Sequence, residues 1–307
     1  MIEYILKRLI WTPFLLLIAS FFVFFMGNIA PGDPAELILK NRATPEKIEA
    51  LRDDMGLDEP FIIQYLIYIK NALGGDFGES YVFQGKKVTE LLIPKLLVSI
   101  KLNIAVTIVS ISLGVPLGFY AAKNYGSWKD PTIVLTMLFL FAMPVFFTAP
   151  FLITIFAVKL GWIKASGWNG FFDTQIILPA LTIGIPSATI YVRHMRASTL
   201  DIIGQDYIRT AYSKGLKEYT IDTKHIIKNS ILPILTLLGF TIAGIFGGSL
   251  IVEIIYGIPG VSRLALDAIY QRDFPVLTAL VLIGSTMLVL ANLIIDISYT
   301  LIDPRIE

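Results

Sequence analysis

The chain has 307 residues, of which 55% are hydrophobic and 16% charged, with a formal net charge of +1 and no cysteine. A soluble globular domain carries roughly 45–50% apolar and 25% charged residues, so the polar complement here is too small to cover a water-soluble core. The absence of cysteine excludes a disulfide framework, a thiolate nucleophile and a cysteine-based metal site, and the balanced charge without a Lys/Arg-rich tract excludes the electrostatic footprint of a nucleic-acid binder.

The apolar excess collects in six runs nearly free of charge, at residues 9–29, 100–122, 133–159, 176–192, 231–252 and 276–301. A helix rising about 1.5 Å per residue needs roughly 17–25 apolar residues to cross a hydrocarbon core of about 30 Å. The pattern predicts an all-α, multi-pass membrane protein with six transmembrane helices. The first run is preceded by Lys7 and Arg8 and followed by Ala30, as in a signal sequence, but it is longer than the usual apolar core and Pro31 follows the one candidate cleavage point. A retained first helix, with residues 1–30 as one segment, is therefore expected.

Residues 31–99 are predicted to form an extracytoplasmic helical cap that packs on the membrane part. Thr44 is a candidate helix cap before Pro45 and Glu46, and that helix stops at Gly56. A second helix opens at Pro60 and closes at Gly74 and Gly75, with Phe61, Tyr65, Ile69 and Leu73 on one face. Residues 100–302 form the expected transmembrane core, which contains a cytoplasmic loop over 193–230, and residues 303–307 form a cytoplasmic C-terminus. Within the core, Gly114 with Gly118 and Gly244 with Gly248 have the four-residue spacing that lets helices approach closely.

Orientation follows from Lys and Arg in short connections, which resist translocation. Lys7 and Arg8, then Lys123 and Lys129, then Arg193, Arg196, Arg209, Lys214, Lys217, Lys224 and Lys228 fall on one side by parity. The opposite connections hold Lys159, Lys164, Arg263 and Arg272. Both termini are thus expected in the cytoplasm.

The sequence carries no phosphate-binding loop, no nucleophile elbow and no paired metal-ligand histidines, and its two histidines, His194 and His225, stand far apart. Neither a metal nor another cofactor bound by this chain is expected, and it is not expected to be an enzyme. An ion-driven carrier needs acids at mid-membrane, each costing about 2.5–3.5 kcal/mol there on insertion scales. Only Asp296 lies well inside a run, while Lys101 and Glu253 sit at run ends, and no role is assigned to them.

The cytoplasmic loop holds the most informative stretch. From Ile203, apolar residues fall at Tyr207, Ile208, Ala211, Tyr212 and Leu216 with helical spacing, while Asp206, Arg209, Thr210, Ser213 and Lys214 occupy much of the remainder. This predicts one amphipathic helix over 203–215, ended by Gly215. By periodicity alone it is either a headgroup-resting helix or a docking element.

The run Gln205-Asp206-Tyr207-Ile208-Arg209-Thr210-Ala211-Tyr212-Ser213-Lys214-Gly215-Leu216, followed by His225, Lys228, Asn229 and Pro233, resembles the cytoplasmic loop of the ABC importer permeases that carry dipeptides, oligopeptides and nickel. So do Pro31-Gly32-Asp33-Pro34, Met55 to Pro60, Gly75 to Ser80, Glu253 to Gly260, Arg272 to Pro275 and the ending Asp303-Pro304-Arg305. The loop departs from the usual E-A-A opening in having Asp206 and Tyr207. The resemblance implies a type I importer fold in the plasma (inner) membrane, a second related permease, two separate ATPase subunits that use the ATP and an extracytoplasmic solute-binding protein. It assigns ATPase coupling to Ile203, Gly204, Asp206, Tyr207, Ile208, Ala211, Lys214 and Gly215, with the small Ala211 and Gly215 against the ATPase. Peptides are the expected cargo, with nickel chelates and oligosaccharides as alternatives.

Overall fold

The computed structural model describes residues 2–29, 33–39 and 43–302, and the side chains of the last helix up to residue 293. Ala30, Pro31, Gly32, the Asp303-Pro304-Arg305 ending and the Asp296 side chain lie outside the described residues. Among those described, the chain is all helical apart from connecting segments and a single antiparallel bridge between Glu79 and Lys87. It divides into two compact units, Met1–Leu97 with Pro259–Glu307, and Val98–Ile258.

The first unit begins with α1 (Ile2–Ile29), continues through the short helices α2 (Pro34–Leu39), α3 (Pro45–Asp54) and α4 (Phe61–Leu73), and takes in the start of α5 (Val88–Lys123). Its later part is α14 (Val261–Gln271) and α15 (Phe274–Ile302), the latter packed along α1. Thr44 occupies the cap position of α3 with extended backbone, but its hydroxyl makes no capping bond. Pro45 supplies the preset φ of a first helical residue instead. Gly56 takes φ +64, so the chain turns sharply after α3. Arg52 then holds the turn by pairing with Asp33 at 2.7 Å and Asp58 at 2.8 Å. A core of Val88, Leu92, Leu264, Ala268, Val276 and Ala279 joins α5, α14 and α15.

The second unit contains the rest of α5, α6 (Lys129–Ala142), α7 (Val145–Leu152) continued by a π-helix over Ile153–Lys159, and α8 (Ile177–Ile203). After these come α9 (Asp206–Ser213), α10 (Glu218–Thr220), a π-helix over Ile221–Ile227, α11 (Lys228–Ser230), α12 (Leu232–Gly244) and α13 (Leu250–Ile255). The centre is α8, whose Ala188, Val192 and Met195 are fully covered. A β-carbon built at Gly114 would lie 2.5 Å from Tyr191 Cβ, and one at Gly118 would lie 2.6 Å from the Val192 carbonyl oxygen. These glycines therefore set the approach of α5 to α8 inside this chain. Gly244 meets nothing within 4 Å. In lipid, such close packing and interhelical hydrogen bonds hold helices together, because acyl chains are as apolar as leucine. The Ser110 hydroxyl donates to the Gly184 carbonyl at 3.0 Å and the Thr189 hydroxyl to the Met137 carbonyl at 2.9 Å. Tyr256 seals a further core by a 2.7 Å bond to Thr182, and the fully buried Glu253 accepts from Ser99 at 2.8 Å.

Among the described residues, four helices are long and apolar enough to cross a membrane, and the number is six when each of two bent pairs counts as one span. The departures from six straight spans are local and have causes. The run expected at 133–159 breaks at Met143, where the chain turns by 99°. Pro144 disfavours helical backbone in the residue before it, and Met143 is extended at φ −71, ψ 125. The run expected at 231–252 ends at Gly244, with Gly247 and Gly248 before α13, and its helical partner is the polar segment Glu218–Ser230 on the other side of a 46° bend. Glycine is costly in helices, by about 1 kcal/mol against alanine, so three in five residues end one. Helix α5 begins at Val88, ahead of the expected position 100, and α8 runs on through Arg193 and Arg196 to Ile203.

Candidate functional site

The single helix expected over 203–215 is in fact two elements. Ile203 ends α8, Gly204 caps it, and Gln205 takes extended backbone at φ −76, ψ 146 before α9 starts at Asp206. Asp206 stands in the first turn, where a negative charge is favoured, and pairs with Arg209 at 3.6 Å. At the other end the Gly215 N–H donates to the Tyr212 carbonyl at 2.9 Å and the Leu216 N–H to the Ala211 carbonyl at 3.4 Å. This is the bonding of a Schellman termination, and it requires the left-handed φ of +71 that Gly215 adopts.

Helix α9 has a buried side and an open side. Ile208 and Ala211 are 1% and 5% exposed and pack with Ile221 and Ile226 of the following π-helix. The expected placement of Ala211 on a contact face is thereby corrected. Its small side chain lets α9 lie close against its own unit, and a larger one would push the helix away. The open side carries Asp206, Arg209, Thr210 and Ser213 along its crest, flanked by Tyr207 and Tyr212, with Lys214, Gly215 and Leu216 following. Tyr207, Tyr212 and Leu216 are 43%, 47% and 40% exposed.

The platform under α9 is held by ion pairs. Lys123 at the end of α5 reaches Glu218 at 2.8 Å and Asp222 at 2.9 Å. Arg196 of α8 grips Asp130 of α6 through two parallel bonds of 2.6 and 2.7 Å, and its guanidinium lies 5.6 Å from the Tyr125 ring centre. In the sequence, Lys123 and Arg196 stand out as orientation signals alone. Their partners are not legible from spacing, because Asp130 and Arg196 are brought together only by the packing of α6 on α8.

A second site lies in the first unit. Four segments that carry the resemblance, represented by Pro34, Met55, Ser80 and Phe274, line one cleft of about 720 Å³ together with Tyr81 and Tyr68. Its wall is pinned by Asp273, which accepts from the Ser80 hydroxyl and from the Tyr81 N–H at 3.1 Å. Burial, with Asp273 and Asp33 nearby, pushes the Tyr81 phenol up to about 12. The Tyr68 hydroxyl is buried without a hydrogen-bond partner.

Comparison with known proteins decides the family. The profile described as binding-protein-dependent transport system inner membrane component matches residues 114–307, and the corresponding N-terminal profile matches residues 1–89. The chain belongs to this family of permeases. It is 35% identical over 310 residues to a probable peptide ABC transporter permease protein, y4tP, of Sinorhizobium fredii, covering 99% of each chain. It is 35% identical over 315 residues to the oligopeptide transport system permease protein AppB of Bacillus subtilis, covering all of both. The glutathione transport system permease protein GsiC of Escherichia coli K12 is 35% identical over 307 residues, covering 100% of this chain and 99% of that one. Among solved structures, an inward-facing MetNI methionine ABC transporter matches with a TM-score of 0.57 at 16% identity, over 70% of this chain and 97% of that one. This last likeness establishes the fold alone. Both the α9 loop and the cleft segments thus belong to regions matched by the permease profiles.

Proposed function

We propose that this permease is the membrane subunit of an ATP-driven importer for di- or oligopeptides, working with a second related permease, two ATPase subunits and an extracytoplasmic solute-binding protein, with both chain termini in the cytoplasm. The names of the full-length relatives, peptide, oligopeptide and glutathione permeases, support the cargo. ATP is used by the partner subunits.

The observation that carries the mechanism is the two-sidedness of α9. Its inner side is anchored by Ile208 and Ala211, its ends are fixed at Gln205 and Gly215, and its outer side is open. A helix held this way moves with its platform instead of bending, so a push on Tyr207, Tyr212 or Leu216 is passed to α8 and α5. The coupling element comprises Ile203, Gly204, Asp206, Tyr207, Ile208, Ala211, Lys214 and Gly215, with Ala211 as anchor and the tyrosines as contact. The deciding experiment isolates the complex from native membranes with its binding protein, assays ATP hydrolysis and identifies the bound ligand by mass spectrometry. A peptide is expected. A complex without ATPase subunits, or one loaded with a chelate or sugar, refutes the corresponding part.

A further inference from the structure

Helix α4 presents two apolar sides. Phe61, Tyr65 and Tyr68 turn toward α1, where the Tyr65 hydroxyl lies 2.8 Å from the Ser20 hydroxyl and donates to the Leu17 carbonyl at 3.0 Å. Phe61 meets Phe21 and Phe25 edge-on at ring-centre distances of 5.7 and 5.8 Å, and Tyr68 stacks on Phe24 at 5.2 Å. The other side carries Ile62, Leu66 and Leu73, 55%, 59% and 86% exposed, flanked by Ile63.

The contacts fix the depth of α4 relative to the span. The apolar stretch of α1 runs Ile10–Gly27. At about 1.5 Å per residue, the α1 residues that α4 touches, from Phe25 through Phe21 and Ser20 to Leu17, lie about 3 to 15 Å inside its Gly27 end, within one half of a hydrocarbon core of about 30 Å. Amphipathic helices lying in a membrane surface sit about 5–10 Å into the boundary between headgroups and acyl chains. The span itself also exposes large apolar side chains close to that end, at Phe22 and Met26. Lys70, the one charged residue of α4, lies in the last turn, where its long stem can carry the ammonium out to the lipid phosphates.

We propose that α4 lies within the leaflet around the Gly27 end of α1, with Ile62, Leu66 and Leu73 covered by phospholipid acyl chains. The helix is then an in-plane membrane anchor and not part of a water-exposed cap. The proposal goes beyond the transport reading and rests only on α1 being a span.

The cysteine-free sequence permits a direct test. Spin labels are attached to Ile63→Cys, Leu66→Cys, Phe22→Cys and Glu46→Cys variants of the full chain in phospholipid nanodiscs, and collision rates with oxygen and a water-soluble nickel chelate are compared. The oxygen-to-nickel ratio at Ile63 and Leu66 is expected to match that at Phe22 and to exceed that at Glu46 of α3 several-fold. A ratio like that of Glu46 overturns the proposal in favour of a solvated cap. Labels reached by neither reagent overturn it in favour of a protein partner, and an aqueous ratio at Phe22 would overturn the α1 span and the proposal together.

Discussion

Arg196 and Asp130 illustrate how single residues hold the platform beneath α9. The Asp130 side chain is 6% exposed and accepts two bonds from a guanidinium that is 27% exposed. Removing one partner leaves the other charge poorly compensated, a loss of about 3–5 kcal/mol for a fully buried pair. For Arg196→Ala a cost of about 3 kcal/mol is expected, at the low end of that range because the guanidinium keeps some contact with water. Arg196→Lys should recover only part of it, since an ammonium cannot make the parallel pair of bonds. Thermal unfolding of the purified chain in detergent measures both. The glycines offer a contrasting pair. Gly118→Ala places a methyl 2.6 Å from a backbone oxygen and should destabilise by about 1–3 kcal/mol. Gly244→Ala meets open space and should leave the stability of the chain unchanged or slightly raised. Equal losses from the two substitutions would contradict the packing of α5 on α8.

At the scale of elements, the proposed role of α9 predicts that substitutions on its two sides separate folding from coupling. Ile208→Asp buries a charge between α9 and the π-helix and should lower both yield and thermal stability. Tyr212→Ala removes a half-exposed side chain that is not part of the Ile208 and Ala211 anchor, so the chain should still fold while losing ATPase subunits on purification and solute uptake in vesicles. If Tyr212→Ala, combined with Tyr207→Ala, keeps stoichiometric ATPase and full uptake, α9 is not the coupling element. This inner and outer division was only half legible in the sequence. Periodicity marked Ile208 and Ala211 as sharing a face, but an apolar stripe reads the same whether it meets its own chain or a partner. The join at Gly204 and Gln205 was hidden because helical spacing persists across it. The breaks near Pro144 and after Gly244 were hidden in a similar way, since the apolar runs that mark spans continue through them. Run length, by contrast, fixed the first and last spans closely, because no internal proline-induced turn or glycine cluster interrupts them.

At the scale of the whole molecule, the proposed coupling role requires α9 to lie on the cytoplasmic side of the membrane. Orientation follows from charges in short connections, and Lys123, Arg196 and Arg209 among them are engaged in ion pairs. An ion pair does not cancel the signal, because the bias acts on Lys and Arg and not on net charge. Single cysteines then report the sides cleanly, since the sequence contains none. Ser80 is a poor reporter of the outer side, being buried against Asp273, whereas Lys86 on the same loop is exposed. In intact cells, Lys86→Cys is expected to react with a membrane-impermeant maleimide and Ser213→Cys to react only after the membrane is opened. The two reporters have independent failure modes, because either can be shielded by a partner subunit, but shielding lowers one signal without raising the other. Reactivity of Ser213→Cys in intact cells, with Lys86→Cys silent until permeabilisation, would place α9 outside and remove it from any cytoplasmic ATPase.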